Sequence, residues 1–183
     1  MGNNLNIVPL THAIQRYAAG FYSGNDYLDM FLRSPMALDI GYGKTYVWLM
    51  GDGANDEIVG YYNISTGYIE NISDGGVRRY RLGGSVHINM FALDVKYQGI
   101  ILDATEAEGK VTLADFLLDE CLERIHRIRE KHVGFSFVTL CSTDKGYGLY
   151  TRKDFNILEP DMTFTAEKED HDCISMYLPL DYE

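Results

Sequence analysis

The chain has 183 residues, 46% hydrophobic and 13% aromatic, enough to bury one sizeable core, and is read as a single domain over 1–183. No apolar run nears the roughly 20 residues that span a bilayer and no basic-then-apolar leader opens the chain, so it reads as soluble, cytoplasmic and without a membrane partner. A net charge of −11 argues against general nucleic-acid affinity, and three widely spaced cysteines (Cys121, Cys141, Cys173) without metal-ligand spacing argue against a disulfide framework or a metal.

Residues 6–10 are a short apolar strand, after which Thr11 offers an N-cap for a helix running to about Ala19. Asn25 caps a second helix whose apolar positions Leu28, Phe31, Leu32 and Met36 recur at helical spacing, with Pro35 and the 41–43 turn interrupting it. Residues 45–50 and 58–66 are β-rich runs joined by the turn-forming stretch 51–56, which predicts an antiparallel hairpin. The segment 68–84 bears glycines and Arg78, Arg79 and Arg81 on scattered apolar content, and is read as an irregular connection on the substrate side. Residues 86–95 are strongly strand-like. Residues 111–131 carry wide apolar helical faces, 134–140 is another strand, 145–153 a short helix, and 173–180 a closing apolar run. From position 159 onward the net charge is −7, leaving −4 for everything before it. Arg124, Arg127, Arg129 and Lys131 sit where the long helix ends, where cations complement the dipole.

This alternation of strands and helices predicts an α/β fold with a mixed sheet. Four motifs sharpen it. The stretch Phe91-Ala92-Leu93-Asp94-Val95-Lys96-Tyr97-Gln98-Gly99 resembles the apolar strand and Tyr-Gln-Gly exit of the GNAT N-acetyltransferases, and Leu149-Tyr150-Thr151-Arg152-Lys153-Asp154-Phe155 resembles their Phe-Tyr-x-x-x-Gly-Phe helix. The opening Phe21-Tyr22-Ser23-Gly24-Asn25-Asp26-Tyr27-Leu28-Asp29-Met30-Phe31-Leu32 and the strand Ile58-Val59-Gly60-Tyr61-Tyr62-Asn63-Ile64-Ser65 are similar to the GNAT branch that includes the acetyltransferase toxins of toxin–antitoxin pairs, which modify aminoacyl-tRNA.

The resemblance implies a centrally splayed sheet flanked by helices, with acetyl-CoA as cosubstrate. Its pantetheine arm would add to the strand edge at Phe91, Ala92 and Leu93, with a backbone N–H near Leu93 holding the oxyanion. The pyrophosphate would meet the start of the long helix at Gly109, Lys110, Val111, Thr112, Leu113 and Ala114, after an insertion at 100–108 that replaces the family's glycine loop. Thr112 and Asp115 have capping-box spacing. Tyr150 would be the general acid, its phenol protonated at neutral pH and able to pass a proton to the departing thiolate; Tyr147 is the fallback. Asp154 stands where the family has glycine. Glu70, His87 and Asp94 are base candidates by position alone. The implied activity is acetyl transfer to a primary amine of a small molecule or peptide. The acidity argues against nucleic acid, including the aminoacyl-tRNA that the resemblance admits, and a homodimer is among the assemblies allowed. The alternatives are a degenerate fold kept as a binding or regulatory module without acetyl transfer, and a toxin-like enzyme acetylating aminoacyl-tRNA.

Overall fold

A computed structural model describes residues 4–51, 56–103, 110–164 and 173–180. Gly109, most of the 51–56 turn and of the 100–108 insertion, and much of the acidic tail lie outside these residues. The chain divides into two compact units, Met1–Ile64 with Met90–Leu122, and Ser65–Asn89 with Glu123–Glu183.

The first unit opens with β1 (Asn4–Pro9), followed by helix α1 (His12–Gln15), which Thr11 caps by accepting from the Ile14 N–H at 3.4 Å. Only one turn is α-helical, since the chain tightens into a 3₁₀ segment at Arg16–Gly20 instead of running on to Ala19 as one helix. Helix α2 (Asp26–Arg33) begins at Asn25, whose side chain accepts from the Tyr27 and Leu28 N–H groups. It buries Phe31 and Leu32 and ends before Pro35, so Met36 falls in a separate 3₁₀ turn. The expected hairpin is β2 (Lys44–Gly51) with β3 (Glu57–Ser73), in antiparallel register from Lys44↔Ile64 to Met50↔Glu57.

The irregular connection expected at 68–84 is instead strand. β3 runs to Ser73, a short 3₁₀ turn holds Asp74–Gly76, and β4 (Arg78–Leu93) follows at once. The apolar content looked scattered because this part of β3 fully buries only Ile69, while backbone pairing of 69–71 with β9 (Met162–Phe164) supplies the order that side chains do not. After β5 (Ile101–Asp103) and β6 (Val111–Thr112), which pair with each other, comes helix α3 (Leu113–Lys131).

In the second unit, β7 (Phe137–Ser142) lies parallel to β4, with Ser85–Ile88 opposite Phe137–Leu140. That register is four positions long. Helix α4 (Asp144–Thr151) and the strands β8 (Asn156–Ile157) and β10 (Ile174–Pro179) complete the chain. The strand order β1-β2-β3-β4-β7-β10-β8, with β9 on β3, makes the sheet mixed, as expected for the α/β class.

Candidate functional site

At the end of β4 the chain turns sharply, and its motif residues hold the turn. The buried Asp94 carboxylate accepts from the backbone N–H groups of Tyr22 at 2.9 Å and Lys96 at 3.0 Å, while the Gln98 amide donates to the Ser23 and Leu93 carbonyls. Gly99 follows at φ +74°, a conformation that favours glycine. On the other side of this contact Ser23 donates its hydroxyl to Asp29 at 2.7 Å, and Arg33 donates to the carbonyls of Ala18 and Phe21. The motifs at 21–32 and 91–99 are therefore two halves of one hydrogen-bonded clasp. Gly60 belongs to it as well: a Cβ there would meet the Ala92 carbonyl oxygen and Leu117 Cδ2 at 2.8 Å each.

Along β4, the Asp94 N–H donates to Val59 on β3, and the Ala92 carbonyl faces the same strand at Gly60. Strand alternation then directs the N–H and C=O groups of Phe91 and Leu93 toward the opposite edge, and Leu93's carbonyl is taken there by Gln98.

The capping box forms in full. Thr112 donates its N–H at 2.9 Å and its hydroxyl at 2.6 Å to Asp115, whose own N–H donates back to the Thr112 hydroxyl at 3.3 Å. The Leu113 N–H donates to the Ile100 carbonyl at 2.9 Å, so the insertion closes on the helix start. A buried carboxylate thus stands at the terminus assigned to a pyrophosphate, with the exposed Lys110 as the nearby cation in sequence.

A cleft of about 270 Å³ that sequence reasoning missed is lined by Arg16, Tyr17, Glu57, Asp94 and Lys96, among others. Tyr97 donates its hydroxyl to Glu57, and Lys96 Nζ stands 3.2 Å from the other carboxylate oxygen. Those two donors hold the Glu57 carboxyl below its ordinary range, and burial followed by the Glu57 bond pushes the Tyr97 phenol up. No linear motif announces the cleft, because its walls come from three separate segments.

In the second unit, Tyr150 is 7% exposed on α4 and meets Phe155 edge-on at 5.8 Å. The Phe155 N–H donates to the Tyr150 carbonyl at 3.2 Å, the Asp154 N–H to that of Thr151 at 3.3 Å, and Asp154 between them has φ +62°. These are the bonds of a Schellman helix end with a left-handed residue before its apolar partner. The spacing of Tyr150, Asp154 and Phe155 is thereby explained, and so is the glycine that stands at that point of the motif this segment resembles. Upstream, a Cβ on Gly146 would lie 3.1 Å from the Tyr150 ring, so the small residue lets the ring rest on its own helix.

The three base candidates are all engaged elsewhere. Asp94 holds the β4 turn, Glu70 pairs with Arg79 at 3.6 Å, and His87 is buried with Nδ1 2.9 Å from the Thr139 hydroxyl and its ring against Phe164. Burial lowers the His87 pKa to about 4, which leaves the imidazole neutral and a weak base at pH 7.

No family model matches the chain, and no curated protein matches it in sequence. Solved structures share its fold. A tyrosine-to-phenylalanine mutant of KacT aligns with a TM-score of 0.67 and 17% identity over 96% of this chain and 94% of its own. AtaTR bound with acetyl-CoA gives 0.69 and 17%, covering 96% and 93%, and AtaT complexed with acetyl-methionyl-tRNAfMet gives 0.68 and 16%, covering 96% and 95%. At these identities the likeness establishes the fold, which is the one the four motifs predict.

Proposed function

We propose that the protein is an acetyl-CoA-dependent N-acetyltransferase acting on a primary amine. The observation that carries the reading is the fold shared across 96% of the chain with AtaTR bound with acetyl-CoA, joined to motif segments that here build a β4 exit and a Tyr150 helix end. We assign the pantetheine to the side of the strand at Phe91, Ala92 and Leu93 that faces away from β3, where the Leu93 N–H points, and the pyrophosphate to the start of α3 from Lys110 to Ala114, where the Thr112 and Leu113 N–H groups donate to Asp115 and Ile100 and Lys110 is the nearby cation in sequence. Gly109, assigned to the same site, lies outside the described residues.

The acceptor nitrogen attacks the acetyl carbonyl carbon, the C–S bond breaks, and the Tyr150 phenol gives its proton to the sulfur while the nitrogen releases one to solvent. With Asp94, Glu70 and His87 engaged elsewhere, the amine is delivered unprotonated and no side chain is assigned as base. AtaT's complex with acetyl-methionyl-tRNAfMet puts aminoacyl-tRNA among the acceptors to screen, beside amino acids, polyamines and peptides.

Calorimetric titration with acetyl-CoA tests the reading first: micromolar binding supports it, and absence of binding favours a module without transfer. Tyr150→Phe then keeps the ring against Phe155 and removes only the hydroxyl. Its single-turnover rate should fall by on the order of 10²-fold at unchanged cofactor affinity, and an equal rate would move the proton donor to Tyr147 or to solvent.

A further inference from the structure

The stretch from Gly75 to Leu93 contains no acidic residue in a chain with 27 of them, and it opens with three arginines in four positions. These lie on the outer half of the β3–β4 hairpin, where Arg78, Arg79, Tyr80, Arg81 and Leu82 are exposed in succession. A strand packed in a sheet buries at least one face, so five consecutive exposed residues mark an arm that offers both faces to solvent. Alternation places Arg78, Tyr80 and Leu82 on one face and Arg79 and Arg81 on the other. Arg79 is laid toward Glu70 and Arg81 lies 5.3 Å over the Tyr68 ring, which extends both guanidinium groups along the arm. The Tyr80 ring is 52% exposed beside them.

We propose that this arm binds single-stranded nucleic acid, its guanidinium groups taking phosphates and the Tyr80 ring stacking on a base. Guanidinium presents a planar fork that fits phosphate oxygens, and an exposed aromatic between cations is what an unstacked base requires and what an acidic protein surface does not. The rest of the acidic chain repels a polyanion, which confines contact to this arginine-bearing stretch of β4, where Glu70 on the β3 side of the hairpin is paired with Arg79. The inference stands apart from acetyl transfer, because its readout is binding in the absence of acetyl-CoA.

The test is fluorescence anisotropy of a labelled single-stranded RNA of about 12 nucleotides with the full chain, at roughly 50 mM and 200 mM salt. The same RNA as a duplex, and heparin as competitor, distinguish base stacking from simple charge. The triple variant Arg78→Ala/Arg79→Ala/Arg81→Ala should lose at least about tenfold in affinity, and its slope of log K against log salt should flatten by about two, at roughly 0.7 per phosphate contact. Tyr80→Ala should lose about tenfold with the slope unchanged. All four side chains are exposed, and thermal melting confirms that the variants remain folded. Three results overturn the proposal: no salt-dependent binding at the lower salt, an unaffected triple variant, or equal binding of duplex and heparin together with an inert Tyr80→Ala.

Discussion

At Asp154 the backbone is left-handed in an L-residue, a conformation that costs about 1–2 kcal/mol for most side chains and less for aspartate. The helix end is retained because Phe155 still donates to Tyr150 and its ring still packs there. Asp154→Gly should therefore stabilise the protein by about 0.5–1 kcal/mol, less what glycine gains in the unfolded chain, and Asp154→Ala should destabilise it. Urea midpoints of the two variants decide the matter, and equal midpoints would mean that the turn carries no strain. Gly60 has the opposite sign. Its missing Cβ is what lets the Ala92 carbonyl and Leu117 approach, so Gly60→Ala should cost on the order of 1–3 kcal/mol on the same measurement. His87 sets a pH dependence. Its folded pKa of about 4 lies below the ordinary 6.5, so between those values the unfolded chain binds a proton that the folded one does not. Its contribution is fully present above about 6.5 and is lost as pH falls toward 4, on the order of 3 kcal/mol at about 1.4 per pKa unit. His87→Phe should flatten the stability profile in that window; an unchanged slope would show the imidazole to be solvated.

Helix starts were legible because one side chain decides each: Thr11, Asn25 and Thr112 all cap as their spacing predicts. The strands at 86–95 and 134–140 were legible from their apolar runs, though β4 ends at Leu93 and β7 starts only at Phe137. The β3–β4 arm was not, because a strand exposed on both faces has no alternation to read. The cost of Asp154 was also invisible, since its chemistry shows in a dihedral angle and not in the sequence. The start of α3 is the element where stability and the proposed cofactor site conflict. Asp115 completes the capping box, and its charge stands where a pyrophosphate is proposed to bind. Asp115→Asn keeps an acceptor for the Thr112 donors and removes the charge, so acetyl-CoA should bind several-fold more tightly at a stability loss of about 1 kcal/mol. Titration calorimetry at low salt measures the first and urea unfolding the second. Unchanged affinity would place the phosphates away from this helix.

For the molecule as a whole, the net charge of −11 makes folding a concentration of like charge. Ion pairs such as Lys96 with Glu57 and Arg79 with Glu70, among the described residues, act in the other direction, since salt weakens them. Each such pair contributes only about 0–1 kcal/mol, and Lys96 and Arg79 keep most of their side chains in water. Moving from about 0.01 M to about 0.15 M salt shortens the screening length from about 30 Å to about 8 Å, which removes long-range repulsion while leaving contacts near 3–4 Å largely in place. Repulsion should therefore decide the sign. Sodium chloride over that range is expected to raise the melting temperature by a few degrees, corresponding to on the order of 1 kcal/mol for a chain of this length. Neutralising the acid-rich end by Glu167→Gln/Glu169→Gln/Asp170→Asn should shrink the increment, because those charges contribute to the repulsion whatever contacts they make. A melting temperature that falls with salt would show that the exposed pairs, and not the net charge, dominate the electrostatics of folding.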